Sequence, residues 1–181
     1  MTWTIEHEQT VFEAKPFLRV DRQRIRTDRG QEVSDFYQIA LPDFALICPL
    51  SEHGDIITLW QYKHGARQYG LTFPGGVIND GELPELSARR ELLEETGYEA
   101  GRMLFLGRFA CNGNQGCGFA HFFAAANCNK AATADSGDLE VMDLRLMKAA
   151  EIEEALRTHA IGCLADAALW GLVRNAGIVG D

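Results

Sequence analysis

Between Phe73 and Tyr98 the chain reads FPGGVINDGELPELSARRELLEETGY, and this segment constrains the molecule more than any other. Leu83 to Thr96 is made mostly of strong helix formers. Pro84 near the first helical position and Gly97 just past the end predict a helix bounded on both sides. At about 100° per residue, Glu91 and Glu95 fall on one face a turn apart and Glu94 sits beside them, so three carboxylates converge. Like charges at i,i+4 destabilise a helix by about 0.2–0.5 kcal/mol, and Glu94 and Glu95 near its C-terminus also oppose the helix dipole. A helix with only a packing role gains nothing from this. Hard divalent cations such as Mg²⁺ or Mn²⁺ take oxygen ligands of this kind. Gly75-Gly76 after Pro74 allows a sharp turn and close approach to a ligand, and Gly81 ends the loop that brings Glu82 toward the helix. Arg90 then pairs with Glu82 or with Glu94 and braces the carboxylates. The alternative is a solvated Glu/Arg-rich amphipathic helix behind a glycine turn.

With 181 residues the chain has the size of one domain and can bury roughly two-thirds of its unfolded surface, so a core forms without a structural metal or disulfide. A net charge of −9 argues against non-specific binding to nucleic acid or anionic membranes, which require clustered Lys and Arg. It also means that an anionic substrate needs a cation to offset the repulsion. Cys48, Cys111, Cys117, Cys128 and Cys163 form no CxxC pair, and MTWTIEHEQT carries charges where a secretory leader has an apolar core. Both features point to a reducing, cytoplasmic setting. Cys111, Cys117 and His121 lack a fourth ligand and the spacing of a zinc finger. The longest apolar stretch, Ile161 to Val173, is interrupted by Asp166 and falls short of the ~20 residues a bilayer requires.

The first half reads as strands: Phe17 to Ile25, Val33 to Leu41, Phe44 to Pro49 and Ile56 to Tyr62. Thr27-Asp28-Arg29-Gly30 and His53-Gly54-Asp55 supply hairpin turns, so consecutive strands are expected to be antiparallel neighbours. After the helix, strand patterns return at Met103 to Phe109, Phe119 to Ala125 and Glu140 to Leu146. Helices close the chain at approximately Ala149 to Thr158 and Cys163 to Asn175. Ala126 to Gly137 loses periodicity and is expected to be a surface loop. This order of elements predicts an α+β chain or an α/β/α sandwich.

The spacing from Gly76 to Glu82, and from there to Arg90-Glu91-Leu92-Leu93-Glu94-Glu95-Thr96-Gly97-Tyr98, resembles the complete Nudix box, G-x5-E-x7-R-E-U-x-E-E-x-G-U, with Tyr98 stretching the last apolar class. The resemblance implies a Nudix-type α/β/α sandwich with a mixed sheet, preceded by an N-terminal antiparallel strand extension, and divides the chain into residues 1–42 and 43–181. It further implies a Mg²⁺-dependent hydrolase, Mn²⁺ being the other candidate metal. Glu91 and Glu95 are then the principal metal ligands, Glu94 an additional one and Gly75 a carbonyl ligand, with Glu82 and Arg90 as the bracing pair. One departure concerns folding. Leu83-Pro84 stands where such boxes often carry a capping Ser or Thr, so a preset helical φ replaces a side-chain cap at a cost of about 1 kcal/mol.

Tyr37 to Gly65, followed by Leu71-Thr72-Phe73-Pro74-Gly75-Gly76, is similar to the ADP-ribose pyrophosphatase branch. The implied reaction is cleavage of the diphosphate of a nucleotide sugar, ADP-ribose-like, to a nucleoside monophosphate and a sugar phosphate. Another nucleoside diphosphate derivative or dinucleotide is the rival substrate, and a non-catalytic nucleotide sensor is the rival class. Gln61-Tyr62-Lys63 has Lys where the branch has Arg, which keeps a point charge for phosphate and loses the bidentate fork. Gln61 and Lys63 are the substrate-binding candidates of this motif, and Lys63 is either that phosphate contact or an exposed strand-end lysine. Asn112, Asn114 and Gln115 replace a proline-containing stretch and serve either substrate recognition or an ordinary turn. Thr72 stands where the branch often has an acidic residue. A later carboxylate that orients or deprotonates the attacking water corresponds to Asp138 or Glu140. Strands between residues 12 and 41 either pair with a second subunit, as the resemblance implies, or cover their own; a C2 homodimer is expected, since such interfaces are the commonest.

Overall fold

The computed structural model describes residues 2–137 and 141–180. Asp138 and Glu140 lie outside the described residues. The chain forms two units: Met1–Asp43 with Phe109–Ala120, and Phe44–Arg108 with His121–Asp181.

The first unit is built on three antiparallel strands, β1 (Thr4–Ala14), β2 (Leu18–Arg26) and β3 (Glu32–Ala40). The predicted turn closes β2 onto β3, with Gly30 N–H donating to Thr27 O at 3.0 Å. β1 is a strand that the sequence reading does not predict, because polar residues on both of its faces hide the period of two. Cross-strand polar pairs hold it instead: Thr10 Oγ1 donates to Asp21 at 2.7 Å, and Arg26 Nε donates to Glu6 at 2.7 Å. The start of β10 (Gly116–Lys130) joins β3 in parallel at Gly116 and Ile39, which makes the pairing mixed.

In the second unit β4 (Phe44–Ser51) and β5 (Ile56–Lys63) form the predicted antiparallel pair. β6 (Gln68–Thr72) and β11 (Asp143–Met147) pair with β5, β7 (Gly75–Val77) pairs with β4, and β8 (Tyr98–Glu99) pairs with β10. β9 (Arg102–Asn112) also pairs with β10. Among the described residues three helices follow the expected positions: α1 (Pro84–Thr96), α2 (Ala149–Arg157) and α3 (Leu164–Asn175).

β4 is an almost continuous apolar run because both of its faces are covered. Ala45 and Ile47 join Ile57, Phe123 and Ala125 in a core closed by Ala88 and Leu92 of α1. Side chains alternate along a strand, so Leu46 and Cys48 point to the opposite face, where α3 lies against β4. Helices on both faces give this unit the expected α/β/α layering within a mixed α+β chain.

The expected loop from Ala126 to Gly137 is corrected over its first part, since β10 continues to Lys130. Cys128 is buried in the α1-side core, and Asn129 and Lys130 pair with Glu99 and Tyr98, so tertiary pairing overrides a polar composition. Likewise Gly75–Val77 is a short strand as well as a turn. Among the described residues no helix is long and apolar enough to cross a membrane.

Candidate active site

α1 starts without a side-chain cap, as its sequence implies. Leu83 is extended, Pro84 occupies the first turn, and the Leu86 and Ser87 N–H groups donate to Leu83 O. Its end is set by Gly97, whose φ of 70° is left-handed and whose N–H donates to Leu93 O at 2.7 Å. Lys130 Nζ donates to Thr96 O at 2.7 Å and supplies the cation that the last turn of α1 lacks.

Arg90 is the hub of the site. Its Nε and one terminal nitrogen grip both oxygens of Glu82 at 3.0 Å, and the other terminal nitrogen donates to Glu91 at 2.6 Å and Glu94 at 3.0 Å. The guanidinium also reaches Val77 O and Ser87 Oγ, both at 3.2 Å. Arg90 thus pairs with Glu82 and Glu94 together, where the sequence reading left either one open. Glu82 is oriented further by the Asn79 N–H at 3.0 Å. Hydrogen bonds from Arg90 and from the Asn79 backbone pull the Glu82 carboxyl down to about 2, and those to Glu82, Glu91 and Glu94 raise Arg90 further above its already high range.

The other side of the site is backbone. Gly75 N–H donates to Glu95 Oε2 at 2.7 Å, and Glu95 is only 6% exposed. A Cβ on Gly75 would collide with Ala45 O, and a Cβ on Gly76 would sit 2.5 Å from the Glu91 carboxylate. The two glycines make room on different sides: Gly75 lets β7 approach the β4 backbone, and Gly76 leaves space for the Glu91 carboxylate.

The expected convergence of Glu91, Glu94 and Glu95 takes a different form. Arg90 lies between Glu91 and Glu94, Glu95 is turned onto Gly75, and among the described residues no three carboxylate, imidazole or thiol side chains are gathered as a ready metal shell. The donor chemistry still suits a hard cation. Every candidate ligand is oxygen, and Glu82, Glu91, Glu94 and Glu95 together outnumber Arg90 by three charges in a partly buried patch.

A NUDIX domain model matches residues 41–166, most of the chain. The chain belongs to the NUDIX family. The Gly76–Tyr98 segment that resembles the NUDIX box lies within the matched residues. The chain is 30% identical over 98 residues to a CMP-5'-(N-acetyl-N-hydroxy-3-aminopropyl)phosphonate hydrolase of Streptomyces rubellomurinus, covering 54% of this chain and 47% of that protein. It therefore spans about half the length of that relative. It is 27% identical over 130 residues to an ADP-ribose pyrophosphatase of Bacillus subtilis, covering 66% and 70% of the two chains. A crystal structure of an ADP compounds hydrolase superposes with a TM-score of 0.83 at 20% identity, covering 97% of this chain and 94% of that one, which shows a shared fold.

The remaining candidates fall in both units. Gln61 is 1% exposed and donates to Thr72 Oγ1 at 2.8 Å, so it braces β6 and does not face solvent. Lys63 is half-buried within electrostatic reach of Asp166 and Cys163. Asn112, Asn114 and Gln115 belong to the first unit. There Asn112 Oδ1 accepts the Asn114 and Gln115 N–H groups at 2.8 and 2.7 Å, the geometry of a self-bonded turn. Sequence reasoning missed Asp166, which is 4% exposed and accepts the Phe73 N–H at 2.7 Å. Its signal was the lone charge interrupting the apolar run of α3. Burial pushes this carboxyl up to about 6, against the pull of the Phe73 N–H and Lys63.

Proposed function

We propose that this chain is a metal-dependent pyrophosphohydrolase that splits ADP-ribose or a similar nucleotide sugar into a nucleoside monophosphate and a sugar phosphate. The observation that carries this reading is the placement of Glu91 and Glu95 against Gly76 and Gly75, with Arg90 bracing the set. Glu91, Glu94, Glu95 and the Gly75 carbonyl would hold Mg²⁺ or Mn²⁺. Bound there, the cation would offset phosphate charge and lower the pKa of the attacking water. Arg90 keeps Glu82 ionised and orients both Glu82 and Glu91. Asp138 or Glu140 takes the water's proton in this reading. Asp135, just before them, donates its N–H to Glu94 O at 2.8 Å, which ties the approach to that segment to the end of α1. The five free cysteines fit a reducing, cytoplasmic setting.

The ADP-ribose pyrophosphatase of Bacillus subtilis supports ADP-ribose as the first substrate to try, and the CMP-linked relative places a cytidine nucleotide on the same panel. Incubating the protein with Mg²⁺ and a panel of nucleotide sugars is expected to release monophosphate, with ADP-ribose turned over best. Metal-independent ligand binding without release would establish a sensor instead. Of Asp138→Asn and Glu140→Gln, one is expected to lose most turnover; full turnover in both removes both as base.

The N-terminal strands support a homodimer. Trp3, Ile5, Phe12, Phe17 and Tyr37 are each about half exposed or more, an apolar set that a second copy would cover. Light scattering is expected to give twice the 20.1 kDa chain mass. A monomer at micromolar concentration overturns this.

A further inference from the structure

The backbone leading into the NUDIX box is tied down step by step. Leu71 N–H donates to Ala160 O at 2.8 Å, Phe73 N–H to Asp166 Oδ1 at 2.7 Å, and Gly75 N–H to Glu95 Oε2 at 2.7 Å. Pro74 has no N–H, and its carbonyl accepts from Ile47 N–H at 2.9 Å. Two of these anchors come from one place, the α2–α3 connection and the first turn of α3. The ring of Phe73 stacks on Trp170 with centroids 6.4 Å apart and planes at 13°. Asp166 and Trp170 are one helical turn apart, so the same face of α3 holds both the N–H and the ring of Phe73.

Packing alone does not call for a carboxylate here. Burying a charge is costly, and an apolar residue would suit the Leu164–Asn175 face that covers β4. What Asp166 provides is a strong acceptor for one particular N–H. Only Phe73 and Pro74 separate that N–H from Gly75, and the fixed φ of Pro74 removes one of the few torsions between them, so a displacement at Phe73 is carried toward Gly75. Gly75 lies so close to β4 that even a Cβ would collide with Ala45 O, so the strand beside it limits where it can move.

We propose that Asp166 is a positioning residue of the NUDIX site: by accepting the Phe73 N–H from the α3 side, it sets where Gly75 and Gly76 stand beneath Glu95 and Glu91. The proposal rests on the hydrolase reading above, and it makes a prediction that does not depend on turnover. Asp166→Ala removes the acceptor, whereas Asp166→Asn keeps an acceptor oxygen of the same reach. Hydrogen exchange at the Gly75 amide is expected to quicken about tenfold or more in D166A and to stay near wild type in D166N. Mn²⁺ affinity, followed by electron paramagnetic resonance, and kcat are expected to fall about 10–100-fold in D166A, with KM little changed, and to recover in D166N. Leu169→Ala is the packing control on the same helix and is expected to lower Tm without moving kcat or Mn²⁺ affinity. If D166A does not fold, Asp166→Ser takes its place, with a hydroxyl too short to reach Phe73. Unchanged exchange and Mn²⁺ affinity in the acceptor-less variant overturn the proposal, as does a D166N as impaired as D166A or an equal effect of L169A. A wild type that binds Mn²⁺ but hydrolyses nothing on the panel removes the hydrolase reading alone, and the exchange and Mn²⁺ results still decide the role of Asp166.

Discussion

Replacing Glu95 by Gln is expected to lower kcat by about 10²–10³-fold, on the scale of losing one preorganised group that stabilises transition-state charge. The fold should be indifferent to this change. Gln keeps an oxygen that accepts the Gly75 N–H now held at 2.7 Å, and its shape fits the same buried position. Removing one of several like charges on α1 relieves repulsion of a few tenths of a kcal/mol, at roughly the i,i+4 scale, so metal-free E95Q should melt no lower than wild type. Measuring kcat for released monophosphate beside Tm without metal checks both halves. Retained turnover would show that Glu95 is a strut for β7 and nothing more.

Arg90→Ala is expected to damage stability and activity together. Three carboxylates rely on its guanidinium, and Glu82 and Glu91 are only 17% and 13% exposed in their side chains. Removing one partner of a partly buried ionic network leaves the others desolvated and repelling, with an expected fall in Tm on the order of 5–10 °C. Added Mg²⁺ should restore part of that loss, because a cation at the carboxylates replaces some of the missing charge. The acid limb provides a second check. Glu82 titrates near 2 in the fold and near 4.5 when unfolded, so its contribution is complete above 4.5 and is lost as pH falls from there toward 2. Wild-type Tm should therefore fall through this window, and R90A should fall less steeply, since Arg90 is the main reason the value is lowered. Parallel acid limbs in the two proteins would contradict this account.

How much of the site could be read in advance differs from residue to residue. Glu82, Arg90, Glu91, Glu94 and Glu95 are close in sequence and share one helix and its approach loop, so their spacing already encodes their proximity. Gln61 is a substrate candidate by motif alone, which does not report burial; the structure shows it buried, with its side chain donating to Thr72 on the neighbouring strand. The role of Arg90 was legible as pairing but not as a threefold bridge, since the rotamer that reaches Glu91 as well as Glu82 and Glu94 is selected by the surrounding packing.

β1 and the far end of β10 show the same limit in the fold. Their residues are polar and lack a clear period, and they become strands because a neighbouring edge supplies hydrogen bonds: β2 for the first, β8 for the second. Local sequence determined α1 with its boundaries, the hairpins β2–β3 and β4–β5, and the cluster of carboxylates, because each depends on interactions within a few residues. Tertiary structure alone decided that Asp166, 93 residues after Phe73, would hold the backbone ahead of that cluster. A hydrogen bond between residues so far apart in the chain leaves no periodicity to read; it exists only once the sheet and α3 have packed.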